Sequence, residues 1–121
     1  MDLITFLEEF CKNSGIELAT FSVTGAASSV TIGTYDQNQQ VYITETAVGP
    51  FEILICYGNV SQRDGNPVIN AQIILADKEG KTTGGHLFSQ TILYTGELVL
   101  QELQGTSLTR SYDPETGLML W

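Results

Sequence analysis

His86 is the only histidine in the chain. It is the first residue to consider for acid–base or metal chemistry, because an unperturbed imidazole changes charge near neutral pH. It lies in Gly84-Gly-His-Leu87, at the end of a segment, Val68 to Phe88, that reads as strand, turn, strand. Asn70 and Gln72 occupy alternate positions in the first arm, so an extended backbone projects both from one face. If the arms pair across a turn at Asp77–Gly80, Asn70, Gln72 and His86 meet in one polar pocket. His86 there is either a ligand or general acid–base group, or a pocket histidine that hydrogen-bonds a neighbour. Asn70 and Gln72 either bind a small molecule through their amides or satisfy each other, since buried amides need partners. Glu52 and Glu97 are the candidate carboxylates. They either line the same cleft, with Glu97 as acid or base, or form ion pairs with Arg63 or Arg110. Ser22, Ser28, Ser29 and Ser61 are present, but nothing in the sequence supplies the orienting group a serine–histidine pair requires.

The elements that must position these residues are mostly strands. Asp2 to about Asn13 has apolar residues recurring at three and four (Leu3, Ile4, Leu7, Phe10, Cys11), which predicts an amphipathic helix. Asp2 suits its N-cap and Gly15 its C-terminal stop. Strands follow at Glu17–Val23, Val30–Tyr35, Gln40–Thr46 and Phe51–Ser61, the last apolar on both faces. The small-residue run Gly25–Ser29 reads as close packing or a bulge, because it lacks the lysine and helix of a phosphate loop. Gly84-Gly85 lets the chain approach a neighbour closely just before His86. A strand at Thr91–Leu103, a short one at Leu108–Tyr112, a turn at Asp113–Gly117 and an apolar tail, Leu118–Trp121, complete the pattern. An apolar tail docks on its own core or on a neighbouring subunit. This predicts an α+β domain spanning residues 1–121, a mostly antiparallel twisted sheet of about seven strands with one or two packed helices.

Composition narrows the function. The net charge is −9, with five basic residues scattered along the chain. Direct nucleic-acid binding needs a clustered basic footprint, so none is expected. No apolar run is long enough to span a membrane, and no secretory signal pattern opens the chain, so the expected location is the cytoplasm. Cys11 and Cys56 lack metal-finger spacing and read as buried free thiols.

With these segments laid out, the chain resembles the plants-and-prokaryotes-conserved (PPC) domain family. The motifs that carry the resemblance are Gly49-Pro-Phe-Glu-Ile-Leu54, Gly58-Asn-Val-Ser61, Ile74-Leu-Ala-Asp77, Gly84-Gly-His-Leu87, Glu97 in Thr95-Gly-Glu-Leu-Val99, and the closing Asp113-Pro-Glu-Thr-Gly-Leu118. The resemblance implies a PPC-like fold related to acetolactate decarboxylase, and assembly as a homotrimer. Gly49, Gly58, Gly84 and Gly85 are its fold markers. Plant members reach DNA through separate AT-hooks, which this chain lacks, so a DNA-binding label would come from the family alone. Prokaryotic members carry His-x-His where this chain has Asn70-Ala-Gln72. With the histidine of the Gly-Gly-His motif, those residues form a metal site in the family. Here His86 alone remains as a metal ligand, and amide oxygens are poor zinc ligands. The family also places a strand before the helix; this sequence opens at the helix, so the expectation is a sheet edge that is exposed or paired with something else. The resulting expectation is a non-enzymatic trimeric module without a cofactor, binding a small molecule or protein partner at a cleft around His86. The competing readings are a metal-dependent decarboxylase or lyase using zinc, and association with DNA through partners.

Overall fold

The computed structural model describes residues 1–121. Helix α1 (Leu3–Ser14) is followed by strands β1 (Ala19–Asp36), β2 (Val41–Arg63), β3 (Asn66–Ala76), β4 (Thr82–Leu87), β5 (Ile92–Glu102), β6 (Ser111–Asp113) and β7 (Leu118–Leu120). The Asp2 carboxylate accepts the Ile4 N–H at 3.1 Å, and Gly15 stops the helix in the left-handed conformation at φ 69°. Leu3, Ile4, Leu7 and Cys11 are buried against the sheet, whereas Phe10 stays exposed and stacks on Phe6.

The helix-packed α+β expectation is overturned. One 12-residue helix accompanies a chain that is 64% strand. β1, β2, β3 and β4 pair in a closed antiparallel ring, and β5 pairs with the earlier part of β1 along the same edge that β4 joins. Long strands explain the difference. The two strands expected on either side of Gly25–Ser29 are one 18-residue strand, and Gln40–Thr46 joins Phe51–Ser61 in a 23-residue strand. The small residues do not interrupt pairing. They introduce register shifts at Val23/Gly25 and Ala27/Ser29, and a bulge bends a strand without ending it. Curved in this way, β1 pairs with β5 through Ser29 and with β4 at Ile32 and Gly33, so the sheet closes on itself.

That last seam is only two residue pairs long, and glycine makes it possible. A Cβ on Gly85 would lie 2.8 Å from the Gly33 carbonyl oxygen, closer than real Cβ contacts allow. Gly58 is similarly crowded by the backbone of Asn70 and the methyl group of Ala71. Gly49 and Gly84 lie in β2 and β4. The core fills the inside of the ring with Phe21, Val23, Ile53, Cys56, Ile73, Leu75 and Leu87, capped by α1. Both cysteines are free and buried, and burial pushes the Cys56 thiol up to about 12. β5 is the outer edge of the sheet. Its start is engaged by the chain's first residues, with Asp2 bridging Ile92 and the Leu93 N–H donating to the Met1 carbonyl at 2.8 Å. No helix is long and apolar enough to cross a membrane.

Candidate functional site

Strand alternation places Asn70 and Gln72 on the outer face of β3, and β4 sets His86 directly opposite Gln72. The Gln72 amide donates to the Asn70 Oδ1 at 3.5 Å, a long contact that leaves both amides largely uncommitted. Gly33 lies opposite His86 on its other side, and without a side chain there the imidazole is framed by aromatics from neighbouring strands. Ring centroids of Tyr42 and Phe88 lie 4.9 and 5.2 Å from that of His86, and Tyr35 is 5.0 Å from Tyr42. Asn70, Gln72 and His86 thus adjoin on one outer sheet face, but not in a single pocket: Asn70 and His86 border one cavity, Gln72 and His86 another. Glu52 and Glu97 meet as well, but elsewhere. They flank β1 near Gly25 in a separate groove with Thr24, Leu54 and Thr95, and both are exposed. Neither pairs with Arg63 or Arg110; the single ion pair in the chain joins Arg63 to the adjacent Asp64.

Arg110, read from the sequence only as an ion-pair partner for Glu52 or Glu97, has a different role. Its backbone N–H donates to the Gln62 carbonyl, and its side chain crosses the outer face of β2. Nε donates to Ser61 Oγ at 2.8 Å, Nη2 to Asn59 Oδ1 at 3.1 Å, and Nη1 to the Met119 carbonyl at 2.9 Å. Trp121 covers the guanidinium with its ring centroid 5.0 Å away. The motif Gly58-Asn-Val-Ser61 thus supplies two acceptors from one strand face, and the apolar tail docks on its own chain. The alternation of Asn59 and Ser61 within an apolar strand was the available signal; that they face an arginine some fifty residues away was not.

The C-terminal hairpin β6–β7 completes the wall. Asp113 Oδ2 accepts from the Thr116 hydroxyl at 2.7 Å, closing the turn. The Tyr35 hydroxyl donates to the Thr116 carbonyl, and the Gln40 side chain donates to the Glu115 carbonyl at 3.1 Å, tying the turn to the end of the β1–β2 hairpin. Between these parts lies a cavity of about 460 Å³ reached by Tyr35, Tyr42, Asn70, His86 and Arg110, with apolar walls from Val68, Ile69, Leu118 and Met119. A wider groove of about 640 Å³ on the other side of His86 includes Gln72, Thr82 and Thr83. Burial lowers the His86 pKa and the Arg110 charge lowers it further, so the imidazole is neutral at neutral pH.

These donors do not fit a zinc ion. His86 contributes the one imidazole, Asn70 and Gln72 contribute amides, and no group of three histidine, cysteine or carboxylate side chains converges anywhere in the chain. The guanidinium that disfavours protonation of His86 disfavours a cation beside it for the same reason.

Comparison with known proteins places this geometry among relatives. A family model described as the Plants and Prokaryotes Conserved (PCC) domain matches residues 1–104. A metal-containing protein of Archaeoglobus fulgidus is 39% identical with a TM-score of 0.95, covering 100% of this chain and 85% of that one. A plant- and prokaryote-conserved protein of Pyrococcus horikoshii is 34% identical, also at 0.95, over 100% and 83%. A Ralstonia eutropha structure, described as a candidate DNA-binding protein, is 25% identical with a TM-score of 0.89, over 99% and 83%. Among curated proteins, the bifunctional protein GlmU of a Synechococcus strain is 30% identical over 98% of this chain, which spans only 18% of that relative's length.

Proposed function

The chain belongs to the Plants and Prokaryotes Conserved domain family, and from that premise we propose that it is a non-enzymatic, trimeric binding module whose cleft around His86 and Arg110 holds a small molecule. The observation that carries this reading is the cavity itself. At about 460 Å³ it falls in the range of small-ligand pockets, with apolar walls and a few convergent polar groups. His86 has no serine or cysteine nucleophile beside it, and its neighbours are amides and aromatic rings rather than metal ligands. That argues against the metal-dependent lyase alternative on donor chemistry.

Assembly has separate support, while its threefold count rests on the family resemblance. The outer face of β3, β2, β1 and β5 carries a registered patch: Ile74 opposite Ile55, Tyr57 opposite Gln72, and Ser22 between Tyr57 and Val99. Ile55, Tyr57, Ile74 and Val99 are all exposed, Val99 to 69%. An apolar patch of this kind marks an interaction surface. Because Gln72 borders both the patch and the groove on the far side of His86, assembly would bring a second copy beside that groove. DNA binding finds no footprint, since one of the five basic residues, Arg110, is buried and the others are scattered on a chain of charge −9.

Native mass spectrometry tests the assembly. The expected species is a trimer that Tyr57→Glu together with Val99→Glu reduces to monomer, while the circular dichroism spectrum is unchanged. A wild-type monomer at micromolar concentration would remove the trimer from the proposal.

A further inference from the structure

Arg110 is a buried cation without a counter-ion. It is 9% exposed, and no carboxylate lies within 4.0 Å of it although the chain carries 14 acidic residues. Buried guanidinium groups are ordinarily paired, because taking the charge out of water is costly. Three of its N–H groups are used by Ser61, Asn59 and Met119. Arginine has five, so two remain. A purely structural clamp between β2 and the C-terminal hairpin would not require a charge, and this clamp lies against the cavity that Asn70 and His86 also line. His86 feels the same positive charge from across the site.

Resting on the ligand-cleft reading above, we propose that the cleft selects the carboxylate of a small organic acid, with Arg110 as its anchor and Val68, Ile69 and Met119 packing its apolar body. A carboxylate suits the site better than a phosphate for two reasons. One guanidinium balances one negative charge, and planar carboxylates match its fork. Lys12, Lys78 and Lys81, the lysines of the chain, line no part of the cavity, so a dianion would find no second cation. The neutral imidazole and the Asn70 amide are free to hydrogen-bond the rest of the molecule.

Trp121 is the only tryptophan and lies on the guanidinium, so its fluorescence reports the site directly. Wild-type protein is titrated with hexanoate, hexanamide and inorganic phosphate up to about 10 mM, a range that covers weak ligands. Hexanoate is expected to give a saturable change at least about tenfold tighter than hexanamide, with no saturation by phosphate. Arg110→Gln should abolish the preference for hexanoate, and Arg110→Lys should retain part of it. The comparison of ligands on the wild type stands even if either variant fails to fold. Equal binding of hexanoate and hexanamide would overturn the carboxylate inference and leave the ligand cleft in place. Saturation by phosphate in preference to hexanoate would overturn the ligand class. No saturable response to any of the three would overturn both the carboxylate inference and the cleft as a small-molecule site.

Discussion

Ser61→Ala isolates the Arg110 clamp at the cost of one oxygen atom. Ser61 is fully buried, and its Oγ accepts from the Arg110 Nε at 2.8 Å. Alanine keeps the strand geometry and opens almost no space, so the change reads out the lost acceptor. A hydrogen bond to a charged group contributes about 1.5–3 kcal/mol, and the guanidinium N–H left behind at 9% exposure has little water to turn to. The expected loss is therefore about 2 kcal/mol. With a urea dependence of about 2 kcal/mol/M, suitable for a chain of this size, the midpoint shifts by about 1 M. Trp121 fluorescence reports release of the C-terminal hairpin and far-UV circular dichroism reports the ring, so the two transitions show whether the hairpin opens alone or the whole chain unfolds. Arg110→Met in the Ser61→Ala background should cost less than the sum of the single changes, because the orphaned donor is then gone. A Ser61→Ala protein within about 0.5 kcal/mol of wild type, the ordinary range for inconsequential substitutions, would refute this account of the clamp.

Three further outcomes are expected. Gly85→Ala should destabilise by about 1–3 kcal/mol, the usual cost of overpacking, because the new methyl group meets the Gly33 carbonyl at 2.8 Å across a two-pair seam; urea denaturation measures it, and a neutral result would mean that the seam gives easily. Stability should be highest above pH 6.5 and fall as the pH drops below it, since His86 is harder to protonate folded than unfolded and the unfolded chain takes up the proton first; His86→Gln should remove that part of the slope in thermal melts across pH 5–8, a window on both sides of the histidine pKa. Asn70→His together with Gln72→His should place two imidazoles on β3 beside His86 of β4, three on one sheet face, and create stoichiometric zinc binding by calorimetry, whereas the wild type is expected to bind none.

The sequence was legible wherever a local rule governs the outcome. The helix begins at Asp2 and stops at Gly15 because capping chemistry acts within one turn. The Asp77 turn forms through its own carboxylate, which accepts from the Glu79 and Lys81 N–H groups, each at 2.9 Å. Asn70, Gln72 and His86 adjoin on one face because strand periodicity and one hairpin suffice to bring them together.

Closure of the sheet was a different matter. Gly25–Ser29 reads locally as close packing or a bulge between two strands, and only pairing with β2 on one side and β5 on the other shows that those two strands are one bent strand. The separation of Glu52 and Glu97 from His86 follows from that same curvature. Arg110 reaches Ser61 and Asn59 over separations of 49 and 51 residues, and no local pattern encodes such a contact. Composition and periodicity therefore determined the strands, the cap and the polar face around His86. Tertiary structure decided that those strands form a ring, and that a buried cation shares the cavity with the histidine. The physical reason is range: hydrogen-bond caps and alternating faces act over a few residues, whereas desolvating a guanidinium and closing a sheet depend on which distant segments come together.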